Sequence, residues 1–179
     1  FGFMKSVRAV STHFNIDYKI IQDPNCSNFV SWLRELDIDL IVSYSAPCVF
    51  KRHLLEIPKY GCINLHCSLL PKYAGLLPSF WALYNQASSL GATVHRMDDK
   101  IDNGALLAQV EIPVPRDPTM FSVIKLTKRA GGLLMVSVIN DILTDSLNER
   151  ENFVRERDRY SWPSVQQINN FRKNGGRLI

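Results

Sequence analysis

The 179-residue chain has no long hydrophobic run, no internal repeat and no low-complexity stretch. Its apolar runs are only a few residues long, whereas about 20 residues are needed to cross a bilayer, so we expect no membrane-spanning helix. Hydrophobic residues make up 46% and charged residues 21% of the chain, which excludes a disordered or fibrous protein. The length is that of one domain with a buried core. No secretory signal pattern opens the chain, so we expect a cytoplasmic protein.

Cysteine is scarce, and its spacing argues against metal or disulfide chemistry. The four cysteines are Cys26, Cys48, Cys62 and Cys67. They form no C-x-x-C pair, and no histidine lies near them in zinc-finger spacing. We interpret all four as reduced thiols and expect the protein to hold no metal.

A strong charge of one sign is also lacking, because the formal net charge is only +4. This excess is too small to indicate nucleic-acid binding by itself. It is concentrated after residue 149, where seven basic residues face three acidic ones. A solvated surface is the simpler interpretation of this basic tail, and a phosphate-binding surface is the alternative.

Strand and helix patterns alternate along most of the chain. The patterns predict strands over 18–21, 38–45, 61–66, 91–97 and 105–112. They predict helices over 1–17, 27–36, 50–55, 78–84, 119–143 and 163–173, with a polar connector over 152–160. Alternation of this kind favours an α/β fold with a mostly parallel sheet covered by helices on both faces.

Three polar residues near strand ends are candidates for a site. Asn64 and His66 lie two positions apart on one predicted strand, so their side chains point to the same face. Asp102 lies in the polar loop after a later strand. Ligands of open α/β sheets collect at the carboxyl ends of the strands. The alternatives are a structural histidine, a turn asparagine and an Asp-Asn-Gly turn. Ser68 lacks a G-x-S-x-G elbow, which argues against a serine hydrolase.

Three segments then resemble a known family, the folate-dependent formyltransferases. Residues 64–75, NLHCSLLPKYAG, resemble the signature loop, and 91–95 (GATVH) and 101–104 (IDNG) resemble two later blocks at the family's spacing. The resemblance covers roughly residues 17–145. It implies a Rossmann-like formyltransferase fold whose first βα unit is missing from this chain. It also implies a catalytic domain over 1–145 and a basic C-terminal tail with a short helix over 146–179.

The resemblance implies transfer of a formyl group from 10-formyltetrahydrofolate to a primary amine, without a metal. Asn64, His66 and Asp102 would be catalytic. The Asn64 amide and a protonated His66 would donate to the developing oxyanion. Asp102 would favour the imidazolium and order a water that relays a proton. His95 would support this site.

The resemblance also implies where the folate binds. The family's pterin pocket uses backbone groups of two segments, which match Cys48, Val49 and Phe50 and the loop containing Asp98, Asp99 and Ile101. Side-chain identity would then matter little, and Cys48 would be neither a nucleophile nor a metal ligand. Val49 and Phe50 are also plausible core residues, and the two interpretations are compatible.

The acceptor amine is less defined. We expect a small molecule such as a nucleotide-linked amino sugar, with methionyl-tRNA as the alternative that the basic tail favours. A glycinamide ribonucleotide formyltransferase, a formyltetrahydrofolate-hydrolysing enzyme and an inactive folate-binding remnant are further alternatives. We expect no membrane partner, and a homodimer is one option for assembly.

Overall fold

The structure is a computed structural model, and it describes residues 6–179. The helices are α1 (Val7–His13), α2 (Ser27–Glu35), α3 (Arg52–Leu55), α4 (Pro78–Tyr84), α5 (Met120–Leu143) and α6 (Val165–Lys173). The strands are β1 (Ile41–Tyr44), β2 (Cys62–His66), β3 (Ala74–Gly75), β4 (Ser89–Arg96), β5 (Leu106–Pro113) and β6 (Arg159–Tyr160). The start of the first predicted helix lies outside the described residues.

Local sequence signals explain where the main helices begin. Pro78 occupies the first turn of α4, where its missing N–H removes no hydrogen bond. Thr119 caps α5 because its hydroxyl accepts the Ser122 N–H at 3.0 Å, while the Ser122 hydroxyl accepts the Thr119 N–H at 3.0 Å. Ser164 caps α6 through a similar reciprocal pair of hydrogen bonds. These predicted starts are therefore confirmed to within a residue or two.

The α/β class is confirmed, and the main sheet has the order β1-β2-β4-β5. β1 and β2 pair in parallel, whereas β4 pairs antiparallel with both β2 and β5. Three of the four strands therefore run in one direction, and β4 is the exception. The turn between β4 and β5 is too short for the crossover that a parallel pair needs, which explains the antiparallel pairing.

Helices cover both faces of the sheet. The face formed by alternate residues of β2 and β4 packs against the long helix α5, in a core that contains Ile63, Leu65, Ala92, Val94, Met135, Val138 and Ile142. Gly131 lets α5 approach closely, because an added Cβ would lie 2.6 Å from the Leu65 side chain. A second core of Val30, Leu33 and Leu54 brings α2 and α3 against Ile41 on the opposite face.

The C-terminal tail packs on the body of the molecule. β6 pairs in parallel with β3, so part of the predicted polar connector is in fact a strand. Phe171 of α6 lies 5.0 Å from Phe80 of α4, and the Trp81 indole N–H donates to the Ser161 carbonyl at 3.0 Å. β6 was not predicted from the sequence, because two residues are too few to show a periodic pattern. The division into 1–145 and 146–179 stays a prediction.

The predicted strand over 18–21 is wrong. The segment has no assigned strand, and Ile20 is 69% exposed. Within residues 6–179 no strand pairs with this segment, so its apolar residues do not produce a β-ladder. In the same described part of the chain, no helix has both the length and the apolar character needed to span a bilayer.

Candidate active site

Four polar side chains form a block on the sheet face opposite α5. In the antiparallel register of β2 and β4, Asn64 faces His95 and His66 faces Thr93. Directly opposed residues of an antiparallel pair project from the same face, which is why these four side chains meet. His66 is only 6% exposed and His95 only 2%. Successive residues of β2 and β4 point to opposite faces of the sheet, so these polar side chains lie on one face and the apolar core residues lie on the other.

Asp102 joins this block from the loop between β4 and β5. Its carboxylate lies between the two imidazoles: Oδ2 is 3.4 Å from Nδ1 of His66, and Oδ1 is 3.5 Å from Nε2 of His95. Nδ2 of Asn64 lies 3.1 Å from the same Nε2 of His95. The structure therefore brings Asn64, His66 and Asp102 together, with His95 as the link between the amide and the carboxylate.

The path by which Asp102 reaches the block differs from the expected one. We expected its loop to emerge at the carboxyl end of β2. Because β4 is antiparallel to β2, with Arg96 beside Ile63, the loop instead begins near the start of β2. Asp102 reaches His66 across the sheet face, so the site lies on that face rather than on its edge alone.

Hydrogen bonds assign the proton positions on the two histidines. Nε2 of His66 donates to the Tyr73 carbonyl at 2.8 Å, and Nδ1 of His95 donates to the Arg96 carbonyl at 2.6 Å. A carbonyl only accepts, so these nitrogens carry the hydrogens. With a neutral imidazole, Nε2 of His95 accepts one N–H of Asn64; with an imidazolium, the same nitrogen donates to Oδ1 of Asp102. The second N–H of the Asn64 amide is left for another partner.

Burial and neighbouring groups shift the pKa values of both Asp102 and His66. Burial alone would raise the pKa of Asp102, but hydrogen bonding to His95, the charge of His66 and the Gly75 N–H outweigh it and lower the pKa to about 2. Burial lowers the pKa of His66, and Asp102 raises it only in part. Asp102 therefore favours the protonated form of His66, as expected, while burial opposes it, and the protonation state of His66 stays a prediction.

Thr93 and Gly75 are supporting residues that the sequence did not reveal. The Thr93 hydroxyl donates to the Ser68 carbonyl at 2.6 Å and accepts the Leu70 N–H at 3.1 Å, which pins the loop carrying Tyr73. The Gly75 N–H donates to Oδ2 of Asp102 at 2.7 Å. A buried threonine and a backbone amide carry no sequence signal of such roles. The Ser68 hydroxyl donates to the Lys72 carbonyl at 2.7 Å, which fits a structural role.

The two predicted folate-binding segments are placed as follows. Cys48 and Val49 are exposed after β1, whereas Phe50 packs against the core formed by α2 and α3. Asn25 anchors this segment, since its Nδ2 donates to the Val49 carbonyl at 3.0 Å.

The second segment is the loop after β4. Asp99 and Ile101 are exposed, and Asp98 is half-buried and accepts the Lys100 N–H at 3.0 Å. The Ile101 carbonyl accepts from Arg159 at 2.9 Å. The folate contacts of both segments stay a prediction.

Across residues 6–179, no group of three or more histidine, cysteine or acidic side chains is arranged to hold a metal ion. The buried Cys62 thiol contacts the Leu55 carbonyl at 3.7 Å, and burial raises its pKa to about 11. Such a thiol carries no charge at neutral pH. Whether the reaction needs a metal stays a prediction.

Comparisons with known proteins identify the family of this chain. The Formyl transferase family model matches residues 22–139, more than half of the chain. The chain is 36% identical over 118 residues to a methionyl-tRNA formyltransferase from Clostridium tetani, covering 66% of this chain and 38% of that protein. It is 34% identical over 147 residues to the bifunctional polymyxin resistance protein ArnA from Wigglesworthia glossinidia brevipalpis, covering 82% and 22%. The chain belongs to the formyl transferase family and spans well under half of these two relatives.

A solved structure supports the same fold. The formyltransferase PseJ from Anoxybacillus kamchatkensis, in complex with UDP-4,6-dideoxy-4-formamido-L-AltNAc and tetrahydrofolate, matches with a TM-score of 0.67. The match covers 93% of this chain and 84% of that one, at 19% sequence identity. At this level of identity the likeness concerns the fold, and the predicted formyltransferase fold is confirmed.

Proposed function

We propose that this protein transfers a formyl group from 10-formyltetrahydrofolate to a primary amine. The observation that carries the proposal is the buried Asp102 carboxylate between His66 and His95, with the Asn64 amide beside them. Membership of the formyl transferase family supports the reaction, and tetrahydrofolate in a relative of the same fold supports the co-substrate.

Asn64 is well suited to stabilise the charge that develops during transfer. When the amine attacks the formyl carbon, the formyl oxygen becomes negative. One N–H of Asn64 is held by His95, which orients the amide and leaves the second N–H to donate to that oxygen. A donor of this kind, fixed before the reaction, is worth about 3 kcal/mol of the barrier.

His66 supplies the second donor in this proposal. Its Nε2–H is held by the neutral Tyr73 carbonyl in the free protein. A hydrogen bond to a charged oxygen is about twice as strong as one to a neutral carbonyl, so the developing oxyanion would draw this N–H away from Tyr73. His66 would therefore act mainly in the transition state, which is where donors accelerate a reaction.

The pair of His66 and Asp102 is also suited to handle the proton of the amine. In the reaction a new carbon–nitrogen bond forms to the acceptor, the bond to the folate nitrogen breaks, the amine loses a proton and the folate nitrogen gains one. Nδ1 of His66 faces the ionised Asp102 at 3.4 Å, so a proton taken up at this nitrogen would be held in a charge-assisted hydrogen bond. The carboxylate also accepts hydrogen bonds from a relaying water in this proposal.

The folate would bind through the backbone of two segments, 48–50 and 98–101. Cys48, Val49 and Asp99 are exposed, which leaves their main chain accessible to a pterin.

For the acceptor, we favour an amino sugar carried on a nucleotide. The UDP-linked formamido sugar in the PseJ complex supports this choice. The identity to a methionyl-tRNA formyltransferase and the basic tail favour methionyl-tRNA as the second candidate. Binding that uses the tail arginines for phosphate contacts would weaken steeply with salt, whereas a small acceptor would show a shallower dependence. A cytoplasmic location and a homodimeric assembly stay predictions.

The test is an acceptor panel with the whole protein and 10-formyltetrahydrofolate. The panel contains a UDP-linked amino sugar, a dTDP-linked amino sugar, initiator methionyl-tRNA, glycinamide ribonucleotide and water alone. Product mass and folate absorbance report transfer. A formylated amine with release of tetrahydrofolate supports the proposal, and formate without any formylated amine would show a hydrolase instead. Folate binding without turnover on any acceptor would show an inactive remnant.

A further inference from the structure

The turn that carries Asp102 is held by a side chain from the C-terminal tail. Nδ2 of Asn152 donates to the Asp102 carbonyl at 2.9 Å and to the Gly104 carbonyl at 3.1 Å. Asn152 is only 8% exposed. Its amide can face the turn in only one way, because a flipped amide would set its oxygen against two carbonyl oxygens. Asn152 of the tail therefore holds the main chain of Asp102, a site residue about fifty positions earlier in the sequence.

Asp102 needs such support, because its backbone lies in the left-handed region with φ of 51°. A residue other than glycine keeps this conformation only when its surroundings fix it. Arg159 of β6 adds a second restraint, since its guanidinium donates to the Ile101 carbonyl at 2.9 Å. Two residues of the tail thus fix the main chain on both sides of the carboxylate.

The same tail also positions the donor to the Asp102 carboxylate. Gly75, whose N–H donates to Oδ2 of Asp102, belongs to β3, and β3 pairs with β6. The Leu76 N–H donates to the Tyr160 carbonyl at 2.8 Å. A Cβ on Gly75 would collide with that same carbonyl, so only glycine permits this approach. The tail therefore fixes the position of the Asp102 carboxylate and that of the Gly75 N–H, which donates to it.

We propose that Asn152 is a positioning residue for formyl transfer, which holds the Asp102 carboxylate at the distance and orientation that His66 requires. This inference rests on the proposed function, because it assigns Asn152 to the same reaction. Asn152 reaches no reacting atom in it and acts only through Asp102. The tail is then part of the catalytic unit, and its deletion would disable the site even with Asn64, His66 and Asp102 intact.

The experiment compares Asn152→Leu with Asn169→Leu in the whole protein. Leucine keeps the number and branching of the side-chain heavy atoms of Asn152 and removes both donors, and Asn169 is an exposed asparagine on α6 that serves as the matched control. We expect kcat of Asn152→Leu to fall about 10- to 100-fold, since small displacements of catalytic groups have effects of this size. Folate Kd and acceptor KM should change less than about twofold, because Asn152 touches neither ligand in this account.

A readout that does not need turnover separates this inference from the proposed function. In NMR titrations of Asn152→Leu, the pKa of His66 should fall further and that of Asp102 should rise, because the two charges no longer sit at a fixed distance. Asn169→Leu should titrate like the wild type. If the wild type is inactive with every acceptor while Asn152→Leu still shows these shifts, the proposed function fails, whereas the positioning of Asp102 by Asn152 stands.

Unchanged kcat and unchanged titration of His66 and Asp102 in Asn152→Leu would overturn the inference. A milder variant covers the case in which Asn152→Leu does not fold. Arg159→Met removes one restraint at a half-buried position and should shift the same two titrations in the same directions by a smaller amount. If Arg159→Met folds and leaves both titrations and kcat at the wild-type values, the tail does not position Asp102.

Discussion

The two faces of the central sheet carry opposite chemistry on the same two strands. On β2, Ile63 and Leu65 face α5 and are buried in an apolar core, whereas Asn64 and His66 project to the other side. On β4, Val94 packs against α5, while His95 turns toward Asn64. A side-chain period of two residues is all that separates the core of this protein from its candidate active site.

The apolar face also determines the register of the two strands. The residues that flank each polar side chain along the strand are among the most buried of the described chain: Ile63 and Val94 are both 0% exposed. A shift of one residue in register would exchange the two sets of side chains, which makes the apolar face a strong determinant of register. The packing of β2 and β4 against α5 therefore fixes the orientation of the polar side chains, although these side chains do not touch α5.

The largest effect should come from the apolar face. Leu65→Ala removes a side chain that is 4% exposed and packed beneath Gly131, so it should lower the free energy of unfolding by about 2–5 kcal/mol. Leu133→Ala, at a 72% exposed position on α5, is the matched control and should change little. Denaturant unfolding measures both. Equal and small losses would contradict the division between the two faces.

A change on the polar face should act mainly on turnover. Asp102→Asn keeps the size of the side chain and an acceptor for the Gly75 N–H, and removes the negative charge that raises the pKa of His66. The pKa of His66 should fall further, so protonated His66 becomes rarer as the pH rises. We expect kcat to fall about 10- to 100-fold, most at high pH. Rates between pH 5.5 and 8.5, beside folate affinity, test this, and a pH-independent loss would contradict it.

Lowering the pH should destabilise the folded protein through His66 and Asp102 on the polar face. The folded-state pKa values of His66 and Asp102 are both lower than in the unfolded chain, so the unfolded state binds more protons and stability falls as the pH drops below about 6.5. For Asp102, a pKa of about 2 against 3.8 corresponds to about 2 kcal/mol, lost as the pH falls below about 4. His66→Gln should flatten the curve between pH 6.5 and 5. A wild-type stability that does not change from pH 7 to 4 would contradict these assignments.

Local patterns in the sequence were enough to predict most of the elements. Pro78 and Thr119 mark the starts of α4 and α5, and alternating side chains define β2 and β4. The pairing of β3 with β6 escaped prediction, because two residues more than eighty positions apart leave no periodic signal. The exposed segment around Ile20 shows the converse, since apolar residues alone did not make a strand.

The proximity of the three candidate side chains was predictable, but their electrostatics were not. Asn64, His66 and Asp102 meet as expected, because strand alternation and the resemblance of three segments both pointed to them. The lowered pKa of His66 depends on how deeply the folded chain buries the imidazole, and a sequence does not contain that quantity. The support from Thr93 also arises only once β4 lies beside β2.

The most direct test of the account is formyl transfer by the wild type and by two histidine variants. With the acceptor that the panel identifies, His66→Ala should bind folate nearly as tightly as the wild type and lose about 100-fold or more in kcat. His13→Ala, at an exposed histidine on α1, should retain wild-type turnover. A His66→Ala variant that binds folate and transfers the formyl group at the wild-type rate would show that His66 is structural and that the proposed chemistry is wrong.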